Sequence, residues 1–441
     1  MSQRSGRSSG RLLVKPRAFV VLCLMVAACT SGNQARPTTG QSAGAGSTAA
    51  TTATSQAGTS AAGPPVTATP TKPAANPAGL TDAELVGQLF VSYVYGASAS
   101  SASPAHRQAN LALYGVPTGA EVVRRWHLGG IILIDHNTLD PARSSLSTGN
   151  VGNAGQISNL TTGLQAAAVA DSGVRLLIGT DQEGGSVQRI TNGVSWRPAQ
   201  LRIGQQDAGT LRCDYLNLGR QLRALGVNQD YAPVADVVRA TGGVIGDRSF
   251  GPDPATDSRD VRAAVTGLQD AGVLATLKHW PGHGSTPVDS HESLPVLTES
   301  AAQWRAIDRP PFQAATDLAG SIMVGHLALP ALDPSGQPAT LSPALVTGQL
   351  RQGLGYRGLV LTDSLWMAPM WQAGTPAQVA VRAIRAGVDM LLMSPDVPGA
   401  SGAVLTRLRS DRTFRVEVQA AVQRILAAKA RLLTVASVTG C

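Results

Sequence analysis

Lysine is rare in this chain. Only four of its 36 cationic residues are Lys, and all the others are Arg. Aromatic residues make up 4% of the sequence, and no stretch interleaves them with a run of basic side chains. Surfaces that bind nucleic acids combine clustered cations with stacking aromatic rings, so we expect no nucleic acid partner.

Acidic residues are absent from residues 1–28, which have the composition of a targeting segment. Its apolar run, residues 18–28, is too short to span a bilayer as a mature helix. The run leads into Val26-Ala27-Ala28-Cys29, which resembles a bacterial lipoprotein signal and implies cleavage before Cys29 with lipid on its thiol. An ordinary secretory signal is the alternative. Five cations lie in this segment: Arg4, Arg7, Arg11, Lys15 and Arg17. Without them the formal net charge falls from +8 to +3.

Residues 30–79 lack aromatic residues and carry only two charges, Arg36 and Lys72. A segment made of Thr, Ala, Ser, Gly and Pro cannot bury enough apolar surface to fold. Residues 29–79 are therefore predicted to be a flexible tether between the lipid and the folded domain. The expected location is the cell membrane, with the lipid-anchored protein facing the cell envelope.

Cysteine is also scarce, with four residues in the chain. Cys23 would leave with the signal and Cys29 would carry the lipid, so Cys213 and Cys441 remain in an oxidising compartment. They could form a disulfide bond. The Cα separation that decides this cannot be obtained from sequence, and both a disulfide and two free thiols stay open.

From residue 80 onward, eight short apolar runs alternate with longer helical segments, which include residues 156–170, 211–225 and 259–271. Such alternation implies a parallel sheet, and eight units of this length fit an α/β fold of the (β/α)₈ TIM-barrel type over residues 80–441, without a second C-terminal domain. The alternative is an open doubly wound sheet, but residues 91–96 lack its Gly-rich phosphate turn. The predicted strands are residues 89–94, 130–134, 176–179, 227–231, 275–278, 322–325, 359–361 and 390–393.

Polar residues follow the predicted strands at the end where such barrels place their chemistry. The run from Lys278 to His291 holds three of the seven His in the chain and is punctuated by Gly and Pro. In a chain that uses Arg elsewhere, Lys278 suggests a site that needs a compact ammonium with three donors. Asp363 follows the seventh strand, where it could alternatively cap a helix.

The chain resembles glycoside hydrolase family 3, and within it the bacterial β-N-acetylglucosaminidases that trim cell-wall fragments. Four motifs carry the resemblance, in order and on the expected strands. The motif at residues 278–291 is highly specific, whereas the Asp363 motif alone would be weak. The four motifs are Asp181-Gln182-Glu183-Gly184-Gly185-Ser186-Val187-Gln188-Arg189, Gly246-Asp247-Arg248-Ser249-Phe250, Lys278-His279 through Gly284 with Asp289-Ser290-His291, and Leu361-Thr362-Asp363-Ser364-Leu365-Trp366-Met367.

The resemblance implies roles for individual residues. Asp363 corresponds to the nucleophile that forms a covalent glycosyl-enzyme, and His291, oriented by Asp289, corresponds to the acid/base. A histidine titrates near neutral pH, so it can donate a proton to the leaving oxygen and later accept one from water. The residues that resemble the family's sugar-binding set are Asp181, Arg189, Arg248, Lys278 and His279. His283 is expected to brace the loop.

Two positions depart from the family pattern. Trp280 stands where Phe is usual, and Ser364 stands where a second Asp often follows the nucleophile. The first exchange keeps an aromatic ring, and the second changes local hydrogen bonds without removing the attacking carboxylate.

The expected reaction is retaining exo-hydrolysis of terminal β-1,4-linked GlcNAc from peptidoglycan fragments (GlcNAc–MurNAc), by a monomer without metal or cofactor.

Three other functions are alternatives to this one. A β-glucosidase or β-xylosidase of the same family would use the same residues on another sugar. A non-catalytic lipoprotein that binds wall glycans would not need a paired nucleophile and acid/base. A metal-dependent hydrolase could draw ligands from the histidines and from Asp289 and Asp363, but the His-x-His usual after the first strand is missing.

Overall fold

The structure, a computed structural model, describes residues 79–432 and residue 441. These residues belong to one compact unit, Ala68–Cys441. The predicted signal at residues 1–28, the lipidation site Cys29 and the tether up to residue 78 lie outside the described residues. No helix in the described part of the chain is long and apolar enough to cross a membrane.

Eight parallel strands form one sheet, and each corresponds to one of the eight predicted strands. The order is β8-β1-β2-β3-β4-β5-β6-β7, so neighbours in sequence are also neighbours in space. The strands are β1 (Phe90–Ser92), β2 (Gly130–Ile132), β3 (Leu177–Thr180), β4 (Gln229–Asp230), β5 (Leu274–Trp280), β6 (Ser321–Val324), β7 (Leu359–Thr362) and β8 (Leu391–Leu392).

The sheet closes into a barrel between β7 and β1. Strand β8 pairs with β1, where Phe90 lies opposite Leu391. On its other side, Met390 forms a parallel bridge to Leu361. The Thr362 amide donates to the Met390 carbonyl at 3.0 Å, and the Met390 amide donates to the Val360 carbonyl at 3.1 Å. These contacts confirm the (β/α)₈ barrel and leave the open doubly wound sheet unsupported.

Helices connect the strands, and most of them begin at a side-chain cap. Asn153 caps the helix that leads into β3, and Gly173 ends that helix in a left-handed conformation. Such caps satisfy the free amides and carbonyls of helix ends. The α-helices are Asp82–Gln88, Pro104–Tyr114, Gly119–Trp126, Ala154–Ser172, Gln200–Ile203, Ala208–Ala224, Pro254–Asp270, Ala301–Ile307, Arg309–Ala314, Ala368–Ala373, Pro376–Ala386, Val397–Ser410 and Arg412–Arg431, and Ala344–Gly353 is a π-helix.

The core lies between the barrel and these helices. Every residue of β5, the longest strand, is buried. Parallel strands covered on both faces are expected to be continuously apolar. The apolar run therefore fixes β5, and the strand carries Lys278 and His279 to the C-terminal face of the barrel.

A disulfide bond joins Cys213, on helix Ala208–Ala224, to Cys441. The sequence had left this pairing open. The bond connects the last residue of the chain to the helical layer of the barrel.

Gly129, just before β2, lies at the closely packed N-terminal face of the barrel, and a substitution there tests this packing. A Cβ at this position would lie 1.9 Å from the Gln88 carbonyl oxygen, whereas a Cβ on Gly402, in helix Val397–Ser410, would meet nothing within 4 Å. We expect Gly129→Ala to lower the free energy of unfolding by about 2 kcal/mol or more. Gly402→Ala should leave it unchanged or raise it by about 0.5–1 kcal/mol. Urea unfolding of both variants measures this, and equal stabilities would contradict the packing.

Candidate active site

The C-terminal face of the barrel holds a cavity of about 330 Å³. It collects side chains that follow six of the eight strands. Seven of the eight residues predicted for catalysis and sugar binding line it, and the eighth, Asp289, is hydrogen-bonded to one of them. The seven are Asp181, Arg189, Arg248, Lys278, His279, His291 and Asp363.

A buried ion cluster forms one wall of the cavity. The Lys278 ammonium lies 2.8 Å from Asp181 Oδ1 and 2.6 Å from Glu183 Oε1. Glu183 also accepts two hydrogen bonds from the Arg248 guanidinium, at 2.7 and 2.8 Å. Arg189 lies farther away, with Nε 3.9 Å from Asp181. The cluster ties the loops after β3 and β4 to the end of β5.

The mutual charges keep these groups ionised. Burial lowers the pKa of Lys278, but Asp181 and Glu183 more than offset this, and its pKa is raised. Burial likewise raises the pKa of Glu183, and Arg248 and Lys278 reverse the shift and hold that pKa well below its usual range. Buried charges persist when they are paired and hydrogen-bonded in this way.

A second network fixes the histidines of the loop after β5. Asp236 accepts from His279 Nδ1 at 2.7 Å and from the backbone amides of His279 and His283, at 3.0 and 2.8 Å. The second ring is held by Ser290, whose hydroxyl lies 3.0 Å from His283 Nε2. His283 thus braces the loop, as predicted.

His291 lies farther out on the same loop. Its Nδ1 and its backbone amide lie 2.7 and 2.8 Å from Asp289 Oδ1, and 47% of its side chain is exposed. The Nδ1 contact orients the ring and leaves Nε2 available to exchange a proton. The His291 carbonyl accepts from the Ala368 amide at 3.3 Å, which links this loop to the segment after β7.

Asp363 follows β7 and does not cap a helix, since the next helix begins at Ala368 with Met367 as its N-cap. One carboxylate oxygen accepts from the Ser364 amide at 2.7 Å. Burial raises the pKa of Asp363, but three nearby histidine rings, His279 foremost, and the Ser364 amide outweigh that effect and lower it to about 2. The carboxylate is therefore ionised throughout the usual pH range.

The histidine-rich loop forms no metal site within residues 79–432 and 441, where no group of three His, Cys, Asp or Glu residues is placed to hold an ion. Nδ1 of His279 and Nδ1 of His291 face carboxylates. His326 bonds the Thr340 hydroxyl and the Ser364 carbonyl through its two ring nitrogens.

The predicted site residues did not include two members of these hydrogen-bond networks. Glu183 is the anion shared by Lys278 and Arg248, and Asp236 orients His279. Glu183 lies inside the first motif and Asp236 follows the fourth predicted strand. Their bonding partners lie on other loops, so the sequence alone did not identify their roles. His136 also lines the cavity and lies 2.9 Å from Asp135.

Known proteins resemble this chain in sequence and in fold. The sequence model of the "Glycosyl hydrolase family 3 N terminal domain" matches residues 115–428. Beta-hexosaminidase LpqI of Mycobacterium tuberculosis is 35% identical over 347 residues, 74% of this chain and 83% of that protein. Beta-hexosaminidase A of Pseudoalteromonas piscicida is 35% identical over 297 residues, 63% of this chain, which spans only 47% of that longer protein.

Two solved structures share the fold. A family 3 β-N-acetylglucosaminidase from Paenibacillus sp. superposes with a TM-score of 0.72 and 33% identity, over 82% of this chain and 64% of that one. A β-N-acetylhexosaminidase from Beutenbergia cavernae superposes with a TM-score of 0.68 and 30% identity, over 80% of this chain and 99% of that one. The matched region takes up nearly the whole of the second structure.

The ion cluster generates a stability prediction. Glu183→Gln removes the anion that faces both Lys278 and Arg248, and losing one partner of a buried ion pair costs about 3–5 kcal/mol. Asp317→Asn is the matched control, because the Arg262–Asp317 pair is largely exposed and should cost less than about 1 kcal/mol. Urea unfolding at pH 7 measures both, and a small loss for Glu183→Gln would contradict the role of the cluster.

Proposed function

Because the chain belongs to glycosyl hydrolase family 3, we propose that it is a retaining exo-β-N-acetylglucosaminidase. It hydrolyses terminal β-1,4-linked GlcNAc from peptidoglycan fragments that contain GlcNAc–MurNAc. The observation that carries the proposal is the meeting of Asp363 and the His291–Asp289 pair at one cavity, beside the Lys278 cluster. The relatives named as hexosaminidases support the choice of sugar.

Asp363 is the nucleophile in this proposal. Its carboxylate is ionised, since its pKa is lowered to about 2, and it faces the cavity from the end of β7. It attacks the anomeric carbon and displaces the leaving oxygen, which gives a covalent glycosyl-enzyme. Water then attacks the same carbon and restores the original anomeric configuration.

His291 is the acid/base. Its ring donates a proton to the leaving oxygen in the first step and accepts one from water in the second. Asp289 stabilises the imidazolium and fixes the ring orientation through the 2.7 Å contact at Nδ1. The exposure of this ring suits a group that must meet both a departing aglycone and an incoming water.

Asp181, Arg189, Arg248, Lys278 and His279 bind the sugar. Carboxylate oxygens accept from hydroxyls, while ammonium, guanidinium and imidazole groups donate to them. Lys278 is 2% exposed, so a hydroxyl that reaches it meets a fixed donor. A preorganised donor set of this kind holds the ring so that its anomeric carbon faces Asp363.

The proposal also includes the place of action. A lipid on Cys29 anchors a monomer at the cell membrane, and residues 29–79 let the barrel reach fragments of the wall. Each buried methylene of the lipid contributes about 0.8 kcal/mol to membrane binding, so two or more chains anchor the protein firmly. The Val26-Ala27-Ala28-Cys29 pattern supports this part of the proposal.

Aryl glycosides test the nucleophile and the sugar together. We expect the chain to hydrolyse aryl β-GlcNAc far faster than aryl β-glucoside or β-xyloside, and Asp363→Ala to lower kcat by at least about 10³-fold through loss of the covalent step. Asp396→Ala is the control, an exposed aspartate at the end of β8 that caps a helix away from the cavity. Near-normal turnover by Asp363→Ala would refute its role, and a preference for glucoside or xyloside would change the substrate.

His291→Ala tests the proton transfer. It should slow glycosides with poor leaving groups by about 10²–10⁴-fold and activated aryl glycosides much less, because only poor leaving groups need protonation as they depart. His106→Ala, whose ring contacts Ser147 and Tyr95 outside the cavity, should change neither rate. A Brønsted series of leaving groups measures this. Equal slowing of both substrate classes would assign His291 another function.

A further inference from the structure

Trp196 is the most exposed large apolar side chain in the described part of the chain, at 73%. It stands at the edge of a second cavity, of about 250 Å³, in the loop after β3. No residue that lines this cavity also lines the candidate active site. Exposing an indole to water is unfavourable, and the proposed catalytic machinery makes no use of it.

One helix supplies the polar wall of this cavity. Asp214, Asn217 and Gln221 lie on helix Ala208–Ala224 at spacings of three and four residues, so they share one face. Gln221 accepts from the Ser195 amide at 2.6 Å through its Oε1, which leaves its NH₂ group for other contacts. The lining of the cavity therefore includes an amide donor, a second amide and a carboxylate besides the indole.

The cavity is joined to the candidate active site through the backbone. The Arg197 carbonyl accepts from the Gly185 amide at 2.9 Å, and the Arg197 amide donates to Gln188 at 3.1 Å. Both partners belong to the antiparallel hairpin formed by Gln182–Gly184 and Val187–Gln188, which carries Glu183. A ligand at Trp196 would thus contact a segment that is hydrogen-bonded to this hairpin of the candidate active site.

We infer that the Trp196 cavity is a second carbohydrate-binding site, which holds one sugar ring of an envelope glycan; this rests on the proposed action on such glycans. A sugar ring combines an apolar face of C–H groups with hydroxyls around its edge. The indole covers the face, and the Asp214, Asn217 and Gln221 side chains meet the hydroxyls. The volume lies below the ~300–1,000 Å³ of pockets for drug-sized ligands, which suits one ring of a longer chain.

The experiment measures binding of the full-length protein to insoluble peptidoglycan by sedimentation. Trp196→Ala should weaken binding about tenfold, and Asn217→Ala should weaken it in the same direction. Trp371→Ala is the control, because it also removes a half-exposed indole but Trp371 lines neither cavity. This variant should bind as well as the unaltered protein. Hydrolysis of aryl β-GlcNAc should be unchanged in Trp196→Ala.

Three results would overturn the inference. They are absence of binding by the parent, unchanged binding by Trp196→Ala, and an equal loss in Trp371→Ala, which would mean nonspecific adhesion through indoles. If the proposed function is wrong but the inference holds, the unaltered protein will sediment with peptidoglycan and will not hydrolyse aryl β-GlcNAc. The two proposals are therefore tested separately by one set of proteins.

Discussion

The burial of one ammonium group, that of Lys278, organises the candidate site. The residue is 2% exposed at the end of β5 and is held by two carboxylates from the loop after β3. One of these carboxylates also binds Arg248, from the loop after β4. A lysine buried without such partners would lose its proton or leave the interior, so the meeting of these three loops keeps the Lys278 ammonium charged.

The pairing of Lys278 with these carboxylates also fixes the positions of the charged groups in the candidate site. Groups already paired and fixed by the protein need little reorganisation when a sugar enters. Around this rigid wall, His279 is held by Asp236 while His291 stands half exposed on its loop. The histidine rings also help to keep Asp363 ionised despite its burial. The structure thus places a buried ion cluster and an ionised carboxylate at the same cavity as a histidine accessible to solvent.

The sequence predicts features that local residue patterns encode, and it does not predict features that depend on contacts between distant segments. The strands were predictable because a parallel barrel makes each of them an apolar run, and Lys278 stood out because the chain otherwise uses Arg. Glu183 and Asp236 were missed as site residues because their roles come from pairing across loops, which periodicity does not encode. The Cys213–Cys441 bond and the exposure of Trp196 depend on distances and burial, so only the fold reveals them.

The most direct test of the central claim is to trap the covalent intermediate. The protein would be incubated with an activated fluorosugar of N-acetylglucosamine, digested, and its peptides examined by mass spectrometry. The account predicts one added sugar on the peptide that contains Asp363, and release of the β-anomer as the first product of natural turnover. A label on another carboxylate, or an α-anomer released first, would contradict it.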